Sequence, residues 1–131
     1  MREFKLQIVT PDGIKFDGMA ESVLVRADDG DIQVLAGHVD YIASLGIGRA
    51  KIVVDGTARL ASLSGGFISV SGGETRIVSV TFEFREDIDL ERAIRAKENA
   101  ERLISEAKSD KELIVAEAKM KRAMSRIDVA S

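Results

Sequence analysis

Arg122 and Arg126 stand four residues apart near the end of the chain. Asp89 and Arg92 stand three apart where a long run of Ala, Glu, Lys and Arg begins. On helices these spacings put each pair on one face, about one turn apart. If the two segments fold back about Ser109 and Asp110, Arg126 comes near Arg92 and Arg122 near Ala96, so three guanidinium groups converge at the base of the hairpin. Arginine forks suit phosphate oxygens, and Asp89 with Glu83 offers acceptors for a hydroxyl or an exocyclic amine. The constellation is a candidate anion cradle. The plainer reading, which spacing alone favours, is a surface ion-pair network worth about 0–1 kcal/mol per pair, with Asp89 capping the first helix.

Other chemistries find less support. The single histidine, His38, lies between Gly37 and Val39 with no second histidine, no cysteine and no recognisable Ser or Asp partner pattern, so a general base would lack its orienting group. A loop histidine that bonds locally or faces a partner is the expectation. The glycine pairs of LSGGF (63–67) and VSGGE (70–74) lack the Lys-Ser/Thr ending of a phosphate loop and read as bulges or hairpin turns. Asp28, Asp29 and Asp31 miss the spacing of a calcium loop, and the absence of cysteine excludes disulfides and thiolate metal sites. No catalytic or metal-binding residue is assigned, and no cofactor is required.

Charge argues against a polyanion partner. Residues 1–84 carry 8 basic and 11 acidic side chains, a net of -3, while residues 85–131 carry 11 of each. Neither half is a basic domain of the kind nucleic acids attract.

The elements that must position these residues divide sharply. All 11 Gly, the one Pro, all 5 Phe and the one Tyr fall at or before Phe84. There Phe4, Leu6 and Ile8 alternate with Lys5 and Gln7, and Val23 and Val25 with Leu24 and Arg26, the period of strands. Turn signals recur at Pro11-Asp12-Gly13, Asp28-Asp29-Gly30, Asp55-Gly56 and Ser71-Gly72-Gly73-Glu74. After Phe84 apolar residues recur at helical spacing: Leu90, Ala93, Ile94, Ala100, Leu103, Ile104 and Ala107 on one segment, and Leu113, Ala116, Met120, Ala123, Met124 and Ile127 on another. Ser109 and Glu112 read as a capping box opening the second helix. Glu91 with Arg95, Glu98 with Arg102, and Glu117 with Lys121 have the spacing of exposed helix pairs. The predicted fold is α+β: an antiparallel β-sandwich or barrel over 1–84 followed by an antiparallel two-helix hairpin over 85–131. No stretch approaches the roughly 20 apolar residues a membrane span needs, and the opening MREFKLQIV reads as strand rather than as a signal segment.

The alanines in the helical stripes carry a consequence. A buried Leu contributes roughly 1.5–3 kcal/mol, and a seam of alanine methyls far less per contact. The hairpin is therefore expected to close weakly, while helix propensity and charge pairs keep each helix formed if the pair opens. The competing reading is that alanine simply allows close approach.

LQIVTPDGIKFDG (6–18), the VLAGHVDYI loop (34–42), LSGGFISV (63–70) and the DIDLERA entry (87–93) to an Ala-rich hairpin occur in this order, and together they resemble the epsilon subunit of bacterial F-type ATP synthases. The resemblance spans nearly the whole chain. It implies a non-catalytic rotor subunit at the foot of the central stalk, on the cytoplasmic face of the bacterial cell membrane. Its sandwich would grip the gamma subunit and the c-ring, with His38 in a partner-facing loop. Its hairpin would lie folded or extend into the alpha/beta catalytic hexamer and obstruct ATP hydrolysis. Contact with the membrane would come only through the complex. In ATP-binding members an Ile-Asp-x-x-Arg-Ala motif and arginines of the second helix hold regulatory ATP. By position this implicates Ile88, Asp89, Arg92 and Ala93, supported by Glu83, Arg122 and Arg126. Two departures stand out: Asn99 where nucleotide-binding relatives often carry a basic residue, which would lower or adjust affinity, and Ala36 where relatives often carry proline, which would leave the His38 loop less rigid. A free-standing adaptor that docks a second protein through the hairpin is the competing class.

Overall fold

Alternating apolar residues in the first part of the chain become two facing sheets. The structure is a computed structural model that describes residues 2–131. Among these, ten strands precede two helices: β1 (Phe4–Thr10), β2 (Gly13–Ala20), β3 (Ser22–Ala27), β4 (Gly30–Leu35), β5 (Tyr41–Ser44), β6 (Ile47–Val54), β7 (Thr57–Ser64), β8 (Phe67–Ser71), β9 (Glu74–Val78) and β10 (Thr81–Phe84), then α1 (Leu90–Glu106) and α2 (Asp110–Ala130). One sheet runs β2-β1-β9-β8-β5 and the other β10-β7-β6-β3-β4. Neighbouring strands are antiparallel except β1 and β9, which pair in parallel. Leu6, Ile8, Ile68 and Ile77 from the first sheet meet Val23, Val25, Ile52, Leu63 and Phe82 from the second in one buried core.

Turn chemistry follows the residues. Asp55 and Gly56 both take positive φ, 50° and 75°, as do Gly72 and Gly73 at 57° and 81°, and each pair closes a two-residue hairpin. The glycines of LSGGF do something different from the expected bulge or hairpin: they form the corner where the chain leaves β7 in one sheet for β8 in the other. Gly66 sits at φ 101°, and a Cβ there would lie 1.8 Å from the Val78 carbonyl oxygen, so only glycine fits. The return crossing at Ser79 runs alongside. Its buried hydroxyl lies 3.2, 3.0 and 2.7 Å from the carbonyls of Ser64, Gly65 and Thr81 and ties the two crossings together.

A 3₁₀ turn (Arg85–Asp87) leads from β10 to the helices. The Asp89 carboxylate accepts from the Arg92 N–H at 3.1 Å and caps α1. Ser109 Oγ accepts from the Glu112 N–H at 3.1 Å and caps α2. Glu112 reaches back to the Lys108 N–H, at 2.9 Å, one residue further than in the usual box.

The hairpin's interior is narrower than the expected stripes. Its buried residues are Ala93 and Ala100 on α1 and Ala116, Ala123 and Val129 on α2. Leu90, Ile94 and Met124 are 38, 41 and 51% exposed. Alanine at the contact line brings the helices close together, so larger residues a position away are left on the flanks. The three expected exposed ion pairs are not formed either. Lys97–Glu101 at 4.0 Å and Arg102–Glu106 at 3.0 Å take their place, and Arg102 also donates to Asn99 Oδ1 at 2.7 Å. Solvated pairs of this kind differ by tenths of a kcal/mol, too little for spacing alone to choose between them.

Candidate functional site at the root of the hairpin

The alternation of β10 sends Phe82 and Phe84 into the core and leaves Glu83 half-buried on the outer face of the second sheet. Strand register sets Glu83 opposite Ser62 on β7, and Ser62 opposite Arg49 on β6. These three form a polar row running across three strands, and α2 lies over it, packing against β6 and β7. The helix answers each rung. Arg126 Nε donates to Glu83 Oε1 at 2.5 Å, the hydroxyls of Ser125 and Ser62 are 2.8 Å apart, and Arg49 donates to Asp128 at 3.0 Å. The hairpin thus docks on the sheet through one charged pair, one hydroxyl pair and one exposed ion pair, beside the buried Val129.

At the Glu83 end of this row a cavity of about 440 Å³ opens between the sandwich and both helices. That volume lies within the range of small-molecule pockets. Glu83 comes from β10, Asp87 and Asp89 from the helix entry, Arg92, Ala93 and Ala96 from α1, and Arg126 from α2; Thr10, Asp12 and Lys15 close it from the β1–β2 hairpin. The site therefore mixes carboxylates, guanidinium groups and an ammonium, offering both acceptors and charged donors to the cavity.

Of the residues named from sequence, Glu83, Asp89, Arg92, Ala93 and Arg126 line this one cavity. Ile88 and Arg122 do not. The Ile88 N–H instead closes the 3₁₀ turn on the Arg85 carbonyl at 3.3 Å. Arg122 lies one turn nearer the hairpin tip and is half-buried outside the cavity lining, so two guanidinium groups converge here rather than three. Asn99 is exposed and engaged with Arg102. Asp87, Asp12 and Lys15 were missed, because residues 12 and 15 reach residue 126 only through the tertiary fold. Among the described residues no group of three or more His, Cys, Asp or Glu side chains is arranged to hold a metal ion.

Next to the cavity, Glu86 in the connecting turn bonds Arg59 of β7, and the Arg59 guanidinium lies 3.7 Å over the Phe84 ring. The hydrogen bond from Arg59, helped by a backbone N–H, holds the Glu86 carboxyl below its ordinary value of 4.5.

His38 lies well away from this site, in the loop between β4 and β5. Its Nδ1 is 2.7 Å from the Val39 carbonyl and its ring meets Tyr41 edge-on at 6.1 Å. Leu35, Val39 and Ile42 stand exposed around it, Val39 at 73%.

Two family models match in succession: ATP synthase, Delta/Epsilon chain, beta-sandwich domain over residues 3–85, and ATP synthase, Delta/Epsilon chain, long alpha-helix domain over residues 86–131. The ATP synthase epsilon chain of Bacillus velezensis is 41% identical over 99% of this chain and 98% of its own length. That of Bacillus licheniformis is 40% identical over 99% of both. Among solved structures, a chain of the Euglena gracilis mitochondrial ATP synthase (OSCP/F1/c-ring) superposes with a TM-score of 0.82 at 24% identity, covering 98% of this chain and 81% of that one. A chain of the Tetrahymena thermophila mitochondrial ATP synthase central stalk/c-ring gives 0.70 at 14% identity, covering 99% and 98%. These two share the fold. No helix among the described residues is long and apolar enough to cross a membrane. Matched from sandwich to hairpin, and closely related to epsilon chains along its whole length, this chain belongs to the ATP synthase delta/epsilon family.

Proposed function

We propose that the chain is a non-catalytic subunit of the rotating central stalk in a bacterial F-type ATP synthase, at the cytoplasmic face of the membrane. The sandwich would hold the gamma subunit and the c-ring, with the apolar cluster around His38 as a contact surface, and so couple ion-driven rotation to ATP synthesis. The hairpin would extend toward the alpha/beta hexamer to brake hydrolysis, and ATP in the root cavity would hold it folded. Full-length similarity to epsilon chains supports the stalk role.

One observation carries the regulatory part. The cavity is walled by the sandwich (Glu83), by α1 (Arg92, Ala93) and by α2 (Arg126) together, and the Glu83–Arg126 pair is also the first rung of the docking row. A ligand that uses all three walls has its full site only in the folded hairpin. It then stabilises that state by RT ln(1 + [L]/Kd), roughly 2.7 kcal/mol at a hundredfold excess. An alanine seam and a partly solvated polar row are weak enough to be biased by that amount.

The test is calorimetric titration of the isolated chain with ATP, repeated with Arg92→Ala and Arg126→Ala. Binding that both substitutions weaken supports the sensor. Undetectable binding at millimolar ATP, or binding indifferent to both changes, removes the sensor while leaving the stalk role intact. ATPase activity of the reconstituted complex with and without residues 87–131 tests the brake: faster hydrolysis after truncation supports it, and no change contradicts it.

A further inference from the structure

We propose that Lys15, on the sandwich, is a phosphate ligand of the root cavity, acting beside Arg92 and Arg126. The proposal rests on the nucleotide-binding reading above. Its first support is position: Lys15 lines the same cavity as Arg92 and Arg126, although it comes from the opposite end of the sequence.

Its second support is backbone geometry. Along the β1–β2 hairpin Val9 pairs with Ile14 and Ile8 with Phe16, so the register slips and Lys15 is the extra residue. That is a β-bulge, a device that turns one side chain out of the regular alternation and recurs beside functional sites. On its two sides Ile14 is exposed and Phe16 packs against the core. The bulge thus leaves an exposed lysine beside the cavity with its backbone outside the ladder.

Its third support is charge. Arg126 is occupied by Glu83, whereas among the described residues neither Lys15 nor Arg92 has a carboxylate within ion-pair distance. Glu83, Asp87, Asp89 and Asp12 face the cavity with only these three cations to balance them. A polyphosphate entering such a site is repelled by the carboxylates, so an uncommitted ammonium matters. Lysine fits this role because a flexible stem with three donors can follow a phosphate that a rigid fork would have to meet at a fixed angle. A nucleotide held this way joins the β1–β2 tip to both helices, and the number of phosphates sets how much of its affinity depends on the sandwich.

The experiment is calorimetric titration of the full chain, its Lys15→Gln and Lys15→Arg forms, and Arg92→Ala, with ATP and with ADP. Lys15→Gln is expected to lose ATP affinity roughly tenfold, the scale of one charge-assisted hydrogen bond. It should lose less for ADP, and Lys15→Arg should recover most of the loss. If ATP binds the natural chain and Arg92→Ala weakens it while Lys15→Gln binds ATP as tightly as before, the assignment of Lys15 is overturned and the nucleotide site stands. If millimolar ATP does not bind the natural chain, both fall. Unchanged thermal melting of Lys15→Gln without nucleotide is expected for this exposed residue. A lowered melting point, with ATP and ADP weakened equally, marks a structural role and also overturns the assignment.

Discussion

The sandwich and the hairpin bury different things. Between its sheets the sandwich encloses Leu6, Ile8, Val23, Ile52, Leu63, Ile68, Ile77 and Phe82, while the two helices, 38 residues between them, bury four alanines and Val129. Hydrophobic stabilisation scales with apolar area removed from water, so the first region is built to stay closed and the second to be held by little. Their junction is also unlike either interior. Beside the buried Val129 it is a polar row, Arg126–Glu83, Ser125–Ser62 and Asp128–Arg49, whose groups could exchange each partner for water if the hairpin undocked. The proposed function asks for this combination: enough contact to dock, and little apolar area to re-expose on undocking.

That contrast can be broken by substitution, in graded steps. The largest effect is expected in the sandwich core: Ile52→Ala should cost about 2–5 kcal/mol, read as a lower denaturant midpoint for the sheet. Overpacking the seam with Ala100→Leu should cost about 1–3 kcal/mol and act on the hairpin, lowering amide protection in α1 and α2 with the sheet unchanged. Glu83→Gln removes the charge of the first rung. Because both partners keep roughly a third of their side-chain surface in water, the cost should be no more than about 1 kcal/mol, read as faster exchange at the C-terminal end of α2. The smallest effect concerns pH. Glu86 is depressed by its bond to Arg59, so the stabilisation it gives is complete above the ordinary value of 4.5 and is lost as pH falls below it through the lowered value. Glu86→Gln should lower the melting temperature slightly near pH 7, where that stabilisation is complete, and leave it unchanged at a pH low enough to protonate Glu86, so that the acid side of the profile is flatter.

How much was legible in the sequence differs between the same two regions. The sandwich was readable because period-two alternation and paired turn residues such as Asp55-Gly56 and Gly72-Gly73 are local signals, and both pairs close the hairpins expected. The Gly65-Gly66 corner was not, since a glycine pair looks alike in a hairpin and in a crossing between sheets. The hairpin's caps at Asp89 and Ser109 and its alanine seam were also local. Leu90 and Ile94 were misjudged because helical spacing identifies a stripe without its width. At the site, Arg92 and Arg126 come together as the antiparallel pairing predicts, while Arg122 falls outside because the cavity lies only at the hairpin's root. Lys15 and the row Glu83–Ser62–Arg49 depend on register and on a bulge, which no local pattern announces.

Amide hydrogen exchange of the full chain, with and without saturating ATP, tests the central claim most directly. The account predicts that α1 and α2 exchange much faster than the interior strands β1, β6 and β7 in the absence of nucleotide, and that ATP slows the helices while barely altering the strands. Helices as protected as the sheet interior, and indifferent to ATP, would contradict it.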